Sequence, residues 1–502
     1  MRGLAVWKLG KMKIKTIKII TQSFIFVLIC FAFWYLRYPV SDWFNPTYFF
    51  QLSPVAVFVS VFFITTLIVS AGLLIFTFIF GRVFCGWICP YGTLMDVFAF
   101  LISPVKKYKE SNPKIIKSKY FLFIILTILT FFGFQLFYFF EPVTIFARGF
   151  YFTIYSVKNN LFIDLFYKIM SANPGAVIEG IYSVFKSSII ENRHVVFNNH
   201  IVTFIFFTVP LLLVLIKRRF WCRYICPLGA CLAVVAKFSV IKRESASCDT
   251  QCGRCVNQCR MNAVKNDNRY IKQECILCMD CVSDVCDKKS KFIFSFKNKK
   301  NNRIEKTGVT RKDFILWTVV AVSLLAVKKT FARTERNIIR PPGALDEETF
   351  KQKCARCGNC MKVCVTNGLQ PVLLESGIDG IWTPKIDANI GYCEYECVLC
   401  GQVCPTQAIL KLTETYKKQT KIGIAKIQKD ICVPWKDGLE CLVCEEHCPV
   451  PSKAIKLKKE IISDNEVDVP YIEEELCIGC AICENKCPAL INNKKGIVVE
   501  PI

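Results

Sequence analysis

Histidine is almost missing from this chain, with three in 502 residues. A b-type haem held between helices needs two buried histidines on different helices, and His194 and His200 both fall in or beside one polar loop. No C-x2-C-H occurs, so covalent haem attachment has no support either. The chain also lacks a P-loop, a G-x-G-x-x-G after a strand, and a Ser-Gly-Ala-Thr flavin-attachment signature. Nicotinamide and covalent flavin chemistry are therefore unsupported. Acidic residues are scarce, 40 against 65 Lys and Arg. A basic excess can signal nucleic acid, but no basic patch here is interleaved with aromatics, so no nucleic-acid partner is expected. With 53% hydrophobic residues and 42 Phe, disorder is excluded and a purely soluble chain is not expected.

The charge excess is local. Residues 328–502 hold 24 basic and 24 acidic residues, so the whole net charge of +25 lies in 1–327. There it flanks four apolar runs, 19–36, 52–80, 120–140 and 196–216, each near the roughly 20 residues a spanning helix needs. The tail 1–18 has six basic and no acidic residues, 81–119 has seven and two, and 217–313 has 22 and nine, whereas 141–195 is nearly balanced at five and four. Positive-inside logic puts the first three in the cytoplasm and 141–195 outside the inner membrane. Segment 150–170, aromatic but carrying Lys158, Asn159, Asn160 and Asp164, reads as lying on the outer surface. A fifth run, 314–327, follows Arg311-Lys312, a twin-arginine-like pair with Lys in second place, and is weighted towards crossing. The expected fold is a membrane α-helical N-terminal domain of four spanning helices, five with the last run, joined to two α+β ferredoxin-like polyferredoxin regions. The neutral part, 341–502, is expected outside the cytoplasm.

Cysteine carries the chemistry. Of 30, 24 fall into six groups of four. Two groups lie in the basic half: Cys248, Cys252, Cys255, Cys259 and Cys275, Cys278, Cys281, Cys286. Four lie in the neutral half: Cys354, Cys357, Cys360, Cys364; Cys393, Cys397, Cys400, Cys404; Cys432, Cys441, Cys444, Cys448; and Cys477, Cys480, Cys483, Cys487. Thiolates two residues apart wrap one corner of an iron–sulfur cubane, and the fourth reaches another iron, often of a neighbouring cluster. Pro405, Pro449 and Pro488 then turn the chain away, while Arg260, Asp287 and Val365 stand in that place elsewhere. Structural zinc usually takes two C-x2-C pairs set further apart, and disulfides would not explain groups of four. Six [4Fe–4S] clusters are expected. For the last four groups, neighbour pairing and nested pairing, first with fourth, are both open.

Four more cysteines form an internal repeat. R-V-F-C-G-W-I-C-P-Y-G at 82–92 aligns with R-F-W-C-R-Y-I-C-P-L-G at 219–229, offset by 137. Cys85 with Cys89, and Cys222 with Cys226, could converge into a metal site or act as redox thiols; the plain alternative is a helix–loop turn shaped by Pro and Gly. Cys30 and Cys231 read as small hydrophobes, and His447, between Cys444 and Cys448, as a packing residue. The domains are expected as 1–236, carrying the repeat; 237–290, a two-cluster module; 291–340, a basic linker with the short apolar helix; and 341–502, a four-cluster region.

On these motifs residues 1–290 resemble the NapH/MauN type of membrane quinol-dehydrogenase ferredoxin subunit, and 310–502 resemble the NapG/MauM type. NosR and CcoG have related parts. The resemblance implies a fused quinol dehydrogenase or electron-transfer subunit. Electrons would pass from the membrane quinone pool through the clusters to a redox partner protein, an extracytoplasmic reductase or a cytochrome. Glu141, Arg148 and His200 are the candidates for proton-handling groups at a quinol site. The alternative is a redox-dependent assembly or regulatory factor for a metalloenzyme. Six clusters favour conduction.

Overall fold

The computed structural model describes residues 11–34, 50, 52, 63–102, 113–172, 180, 194–245, 254–265, 270–283, 290–294, 310–331, 338–462, 465–492 and 494–502. It divides into two compact units. The first gathers 1–35, 48–147 and 204–327; the second gathers 36–47, 148–203 and 328–502.

The first unit is helical. Its helices include Lys11–Trp34, Phe63–Phe80, Pro90–Ile102, Ser118–Phe131 and Pro227–Ala236, with one hairpin of Ile241–Ser245 against Ser290–Phe294. The expected four or five spanning helices are not found. Among the described residues only Thr16–Trp34 is long and apolar enough to cross a membrane. The other runs are interrupted for local reasons. Residues 53–62 of the second run lie outside the described residues, and its apolar helix Thr66–Phe80 falls short of a span. The third run stops at Phe131, where Gly133 turns left-handed at φ +81 and the Thr130 hydroxyl donates to Gln135 Oε1 at 3.1 Å. The fourth holds Pro210, which removes an interior helical donor, and the chain tightens into a 3-10 turn at Leu213–Leu215. The fifth lies in the helix Arg311–Phe331, whose ends are charged. With one candidate crossing, the multi-pass topology lacks support, and the sides inferred from alternating loops fall with it.

The second unit is α+β, built from short helices and two-stranded antiparallel sheets: Leu369–Pro371 with Pro384–Ile386, Ile424–Ile427 with Ile497–Glu500, and Ile455–Ile462 with Asn465–Ile472. This is the ferredoxin-like arrangement expected for 341–502. Residues 150–155 form a π-helical turn, Phe150–Tyr155, in which Phe150, Tyr151, Phe152 and Tyr155 are buried within the protein. Phe152 packs on Phe197 at 4.7 Å between centroids, and its ring lies so near Gly358 that a Cβ there would stand 3.0 Å away. Val196 O accepts from Gln370 Nε2 at 3.0 Å and from Asn367 Nδ2 at 2.5 Å. Residues 150–155 and 195–197 thus act as a platform under the first cysteine loop of this unit.

Candidate metal centres

Three loops, around Cys275, Cys354 and Cys477, share the spacing C-x2-C-x2-C and one backbone solution. The residues on either side of the central cysteine both take left-handed φ: Leu277 and Met279, Arg356 and Gly358, Gly479 and Ala481. Such positions cost a non-glycine residue roughly 1–2 kcal/mol, so their recurrence marks a functional demand. Alternating handedness curls successive N–H groups inward into a nest suited to an anionic cluster. A short helical turn carries each third cysteine: Asp280–Ser283, Asn359–Val363 and Ile482–Lys486.

The loops close cavities. Cys354, Cys357 and Cys360 face Cys404, and Cys393, Cys397 and Cys400 face Cys364. Cys432, Cys441 and Cys444 face Cys487, while Cys480 has Cys477 and Cys448 as electrostatic neighbours. Fourth ligands are therefore exchanged between neighbouring groups, first with second and third with fourth. The nested alternative is not what this fold builds. In the first unit Cys259 crosses to Cys275, Cys278 and Cys281. Cys248, Cys252 and Cys286 lie outside the described residues, and Cys255 Sγ approaches Cys281 O at 3.9 Å.

These cavities fit an iron–sulfur cubane. Four of them are each lined by four cysteines. The described cysteines are free thiols. Fourth cysteines receive backbone N–H groups from further along the chain: Ala263 N to Cys259 Sγ at 3.1 Å, Ile409 N to Cys404 Sγ and Ala454 N to Cys448 Sγ at 3.4 Å. Burial pushes the Cys393 thiol up to about 12 and Cys480 to about 11. Holding them as thiolates would take a cationic centre beside them, a role cluster iron would supply. The two C-terminal pairs are stitched together where Cys393 N donates to Cys480 O at 2.9 Å.

The proton-handling candidates are divided between the two units. Glu141 is buried and accepts from the Thr144 hydroxyl at 2.8 Å, within the first unit. Arg148 belongs to the second, its guanidinium 3.8 Å above the centre of the Trp382 ring. His200 is exposed, with Nδ1 3.0 Å from Phe197 O. Cys30 and Cys231 lie apart from the clusters as half-buried side chains. His447 places Nδ1 2.9 Å from Val443 O. Two features escaped sequence reasoning. One is the left-handed pattern, which residue identities do not advertise. The other is the reach of Arg219, first residue of the second repeat copy, to Cys85 O at 2.6 Å and Gly92 O at 3.2 Å in the first copy, and of Arg82, first residue of the first, towards Gly229 in the second.

Paired four-cysteine cavities of this kind, on small α+β modules, define a polyferredoxin, and the comparisons agree. A family model described as a 4Fe-4S binding domain matches residues 57–109 and 199–245, the stretches that carry the two C-x3-C-P copies. The methylamine utilization ferredoxin-type protein MauM of Methylorubrum extorquens is 30% identical over 190 residues, 37% of this chain and 81% of that protein. The ferredoxin-type protein NapG of Escherichia coli is 32% identical over 168 residues, 32% of this chain and 71% of that protein. The regulatory protein NosR of Pseudomonas aeruginosa is 29% identical over 208 residues, 40% of this chain but 24% of that protein. No solved structure matches. The chain belongs to the NapG/MauM family of ferredoxin-type proteins, and it is an iron–sulfur electron carrier.

Proposed function

We propose that this protein takes electrons from membrane quinol and delivers them, through six [4Fe–4S] clusters held by the six cysteine groups, to a redox partner protein such as an extracytoplasmic reductase or a cytochrome. In this reading a NapH/MauN-type half is fused to the NapG/MauM-type half, and Thr16–Trp34 anchors the chain in the inner membrane with 341–502 outside the cytoplasm. The observation that carries conduction is the stitching of the C-terminal pairs. Cys393 and Cys480 belong to different pairs, yet their backbones are hydrogen-bonded at 2.9 Å. Each cluster, when bound, exchanges one electron without a proton. The chain's part is to hold the thiolates, exclude water and bring cavities together.

The test is reduction of the clusters in membranes by a menaquinol analogue, followed by electron paramagnetic resonance. Signals should appear with quinol and vanish in Cys275→Ser and Cys354→Ser variants. The likeness to NosR favours a second reading, a redox-dependent assembly or regulatory factor. Failed maturation of a partner metalloenzyme, with no quinol-driven reduction, would select it.

A further inference from the structure

Tyr120 stands where three helices of the first unit meet. Its ring packs with Ala230 and Ala233 of Pro227–Ala236 and with Trp317 of Arg311–Phe331, and Trp317 meets Phe121 edge-on at 5.4 Å. Beside that contact the first turn of Arg311–Phe331 stands off and leaves an open groove of about 520 Å³. Phe123, Val234 and Phe314 are among its apolar walls, and the exposed Thr310 and Arg311 form a polar rim. The rim is fixed in place. Lys117 pairs with Asp313 at 2.8 Å, while Thr310 N donates to Asp313 Oδ2 at 3.0 Å and Asp313 N donates to the Thr310 hydroxyl at 3.2 Å. That reciprocal pair is a capping box, which sets the first helical residue at Arg311.

One polar line leads from this groove into the protein. Tyr120 lines the groove and donates its hydroxyl proton to Glu274 Oε1 at 2.8 Å. The other oxygen of the buried Glu274 pairs with Lys119 and lies 3.5 Å from Arg82. Two cations hold the carboxylate as an acceptor, so the tyrosine proton is committed to it. A phenol that donates still has lone pairs, and Tyr120 Oη is therefore an acceptor for a ligand O–H. Cys275 follows Glu274 directly and lines the Cys259–Cys275–Cys278–Cys281 cavity. Outside the groove the apolar wall continues: Ile315, Val319 and Val322 are exposed and recur at helical spacing on one face. The volume lies in the range of small-molecule sites, which are mostly apolar with a few placed polar groups. A flat apolar body with a hydroxyl to donate and a long apolar tail matches all three parts.

We propose that this groove binds the head of a membrane hydroquinone, an aromatic diol with an isoprenoid tail. One hydroxyl donates to Tyr120 Oη, and the tail runs along Ile315, Val319 and Val322. The assignment rests on the quinol reading above and gives it a place apart from Glu141, Arg148 and His200. A lipid acyl chain would match the walls but leave the Tyr120 acceptor unused. The oxidised quinone has no O–H to give it, so the site prefers the reduced ligand. Oxidising the hydroquinone breaks two O–H bonds. The two electrons go singly into cluster iron held from the Cys275 loop, and the two protons leave to water at the Thr310–Arg311 rim.

The experiment uses the full chain in phospholipid nanodiscs without oxygen. A menaquinol analogue carrying a diazirine where the tail leaves the ring is photolysed on the protein, and labelled peptides are mapped. Label is expected within 118–124 and 310–322. Val234→Trp fills the groove from a half-exposed position. It should cut labelling and quinol-driven cluster reduction by about tenfold or more, with iron content and reduction by dithionite unchanged. Tyr120→Phe keeps the ring and removes the acceptor. It should raise the KM for menadiol about 2- to 10-fold and erase the preference for quinol over quinone in competition with the label. Label in the groove without any reduction of clusters by quinol would refute quinol oxidation and leave this binding site standing. Label mapped elsewhere, quinol-driven reduction that Val234→Trp does not slow, or quinone competing as well as quinol in the unaltered protein would each overturn the assignment.

Discussion

Gly479→Ala is the sharpest single-atom test of how the last cysteine group is held. Gly479 sits between Cys477 and Cys480 at φ +74, and an added Cβ would lie 2.4 Å from both N and O of Gly423, where ordinary contact begins near 3.4 Å. Both obstacles are backbone, so no side chain can swing aside; one strand or the other must move by about 1 Å. The neighbouring bonds are short-range and would go first. Ile422 N donates to Ile478 O at 3.0 Å, and Ala425 N donates to Cys477 Sγ at 3.4 Å. The left-handed conformation costs alanine about 1–2 kcal/mol, and one buried backbone group left unsatisfied adds about 1–3 kcal/mol. The total, about 2–5 kcal/mol, is a large share of the 5–15 kcal/mol typical of a domain. Iron counting should show about four irons missing, and melting should fall by roughly 2–4 °C for each kcal/mol lost. Ala481→Gly, at φ 64 in the same loop, is the opposite perturbation and should leave iron unchanged and melting equal or higher. A Gly479→Ala protein with full iron and an unshifted melt would refute the packing argument.

Three further outcomes follow from the same geometry. Cys404→Ser should erase the same resonance signal as Cys354→Ser, and Cys364→Ser the same one as Cys397→Ser; signals that group by sequence neighbours would disprove ligand exchange. Trp382→Ala removes a 2%-exposed ring that carries Arg148 and donates from Nε1 to the Thr203 hydroxyl at 2.9 Å, and should cost about 3–5 kcal/mol by calorimetry. Burial alone would raise the Glu347 carboxyl, but the two-pronged Arg340 contact, 2.7 Å at each oxygen, outweighs it and holds the group below its ordinary range. Its stabilisation is present above the ordinary glutamate range and is lost as pH falls through the lowered folded value. Glu347→Gln should therefore melt lower at neutral pH and converge with the unaltered protein in acid; an equal gap at both ends would exclude the ion pair as the cause.

What could be read from the chain, and what could not, divides along a physical line. Ligand identity is local chemistry, so the spacing C-x2-C-x2-C sufficed to mark Cys354, Cys357 and Cys360. Partner choice is tertiary, and nothing near Cys404 announces that it faces the first group. Hydropathy sums over a window, so it registered 120–140 as one apolar run although a single left-handed Gly133 ends the helix. Nor does a window reveal that the π-helical turn at 150–155 directs four rings into the protein.

The repeat lies between these cases. Its cysteines were legible as two pairs, each on its own turn, and a pair four residues apart could satisfy itself locally. The arginines argue otherwise. A residue that opens both copies yet sends its head group into the opposite copy has a function only when both are folded together. Arg219 on Cys85 O and Gly92 O, and Arg82 beside Gly229 and Cys226, are such residues. Arg82 is buried with Glu274 beside it, and buried charge is retained where an opposite charge meets it. The offset of 137 is therefore better understood as the distance between two interlocked copies than as the distance between two independent turns.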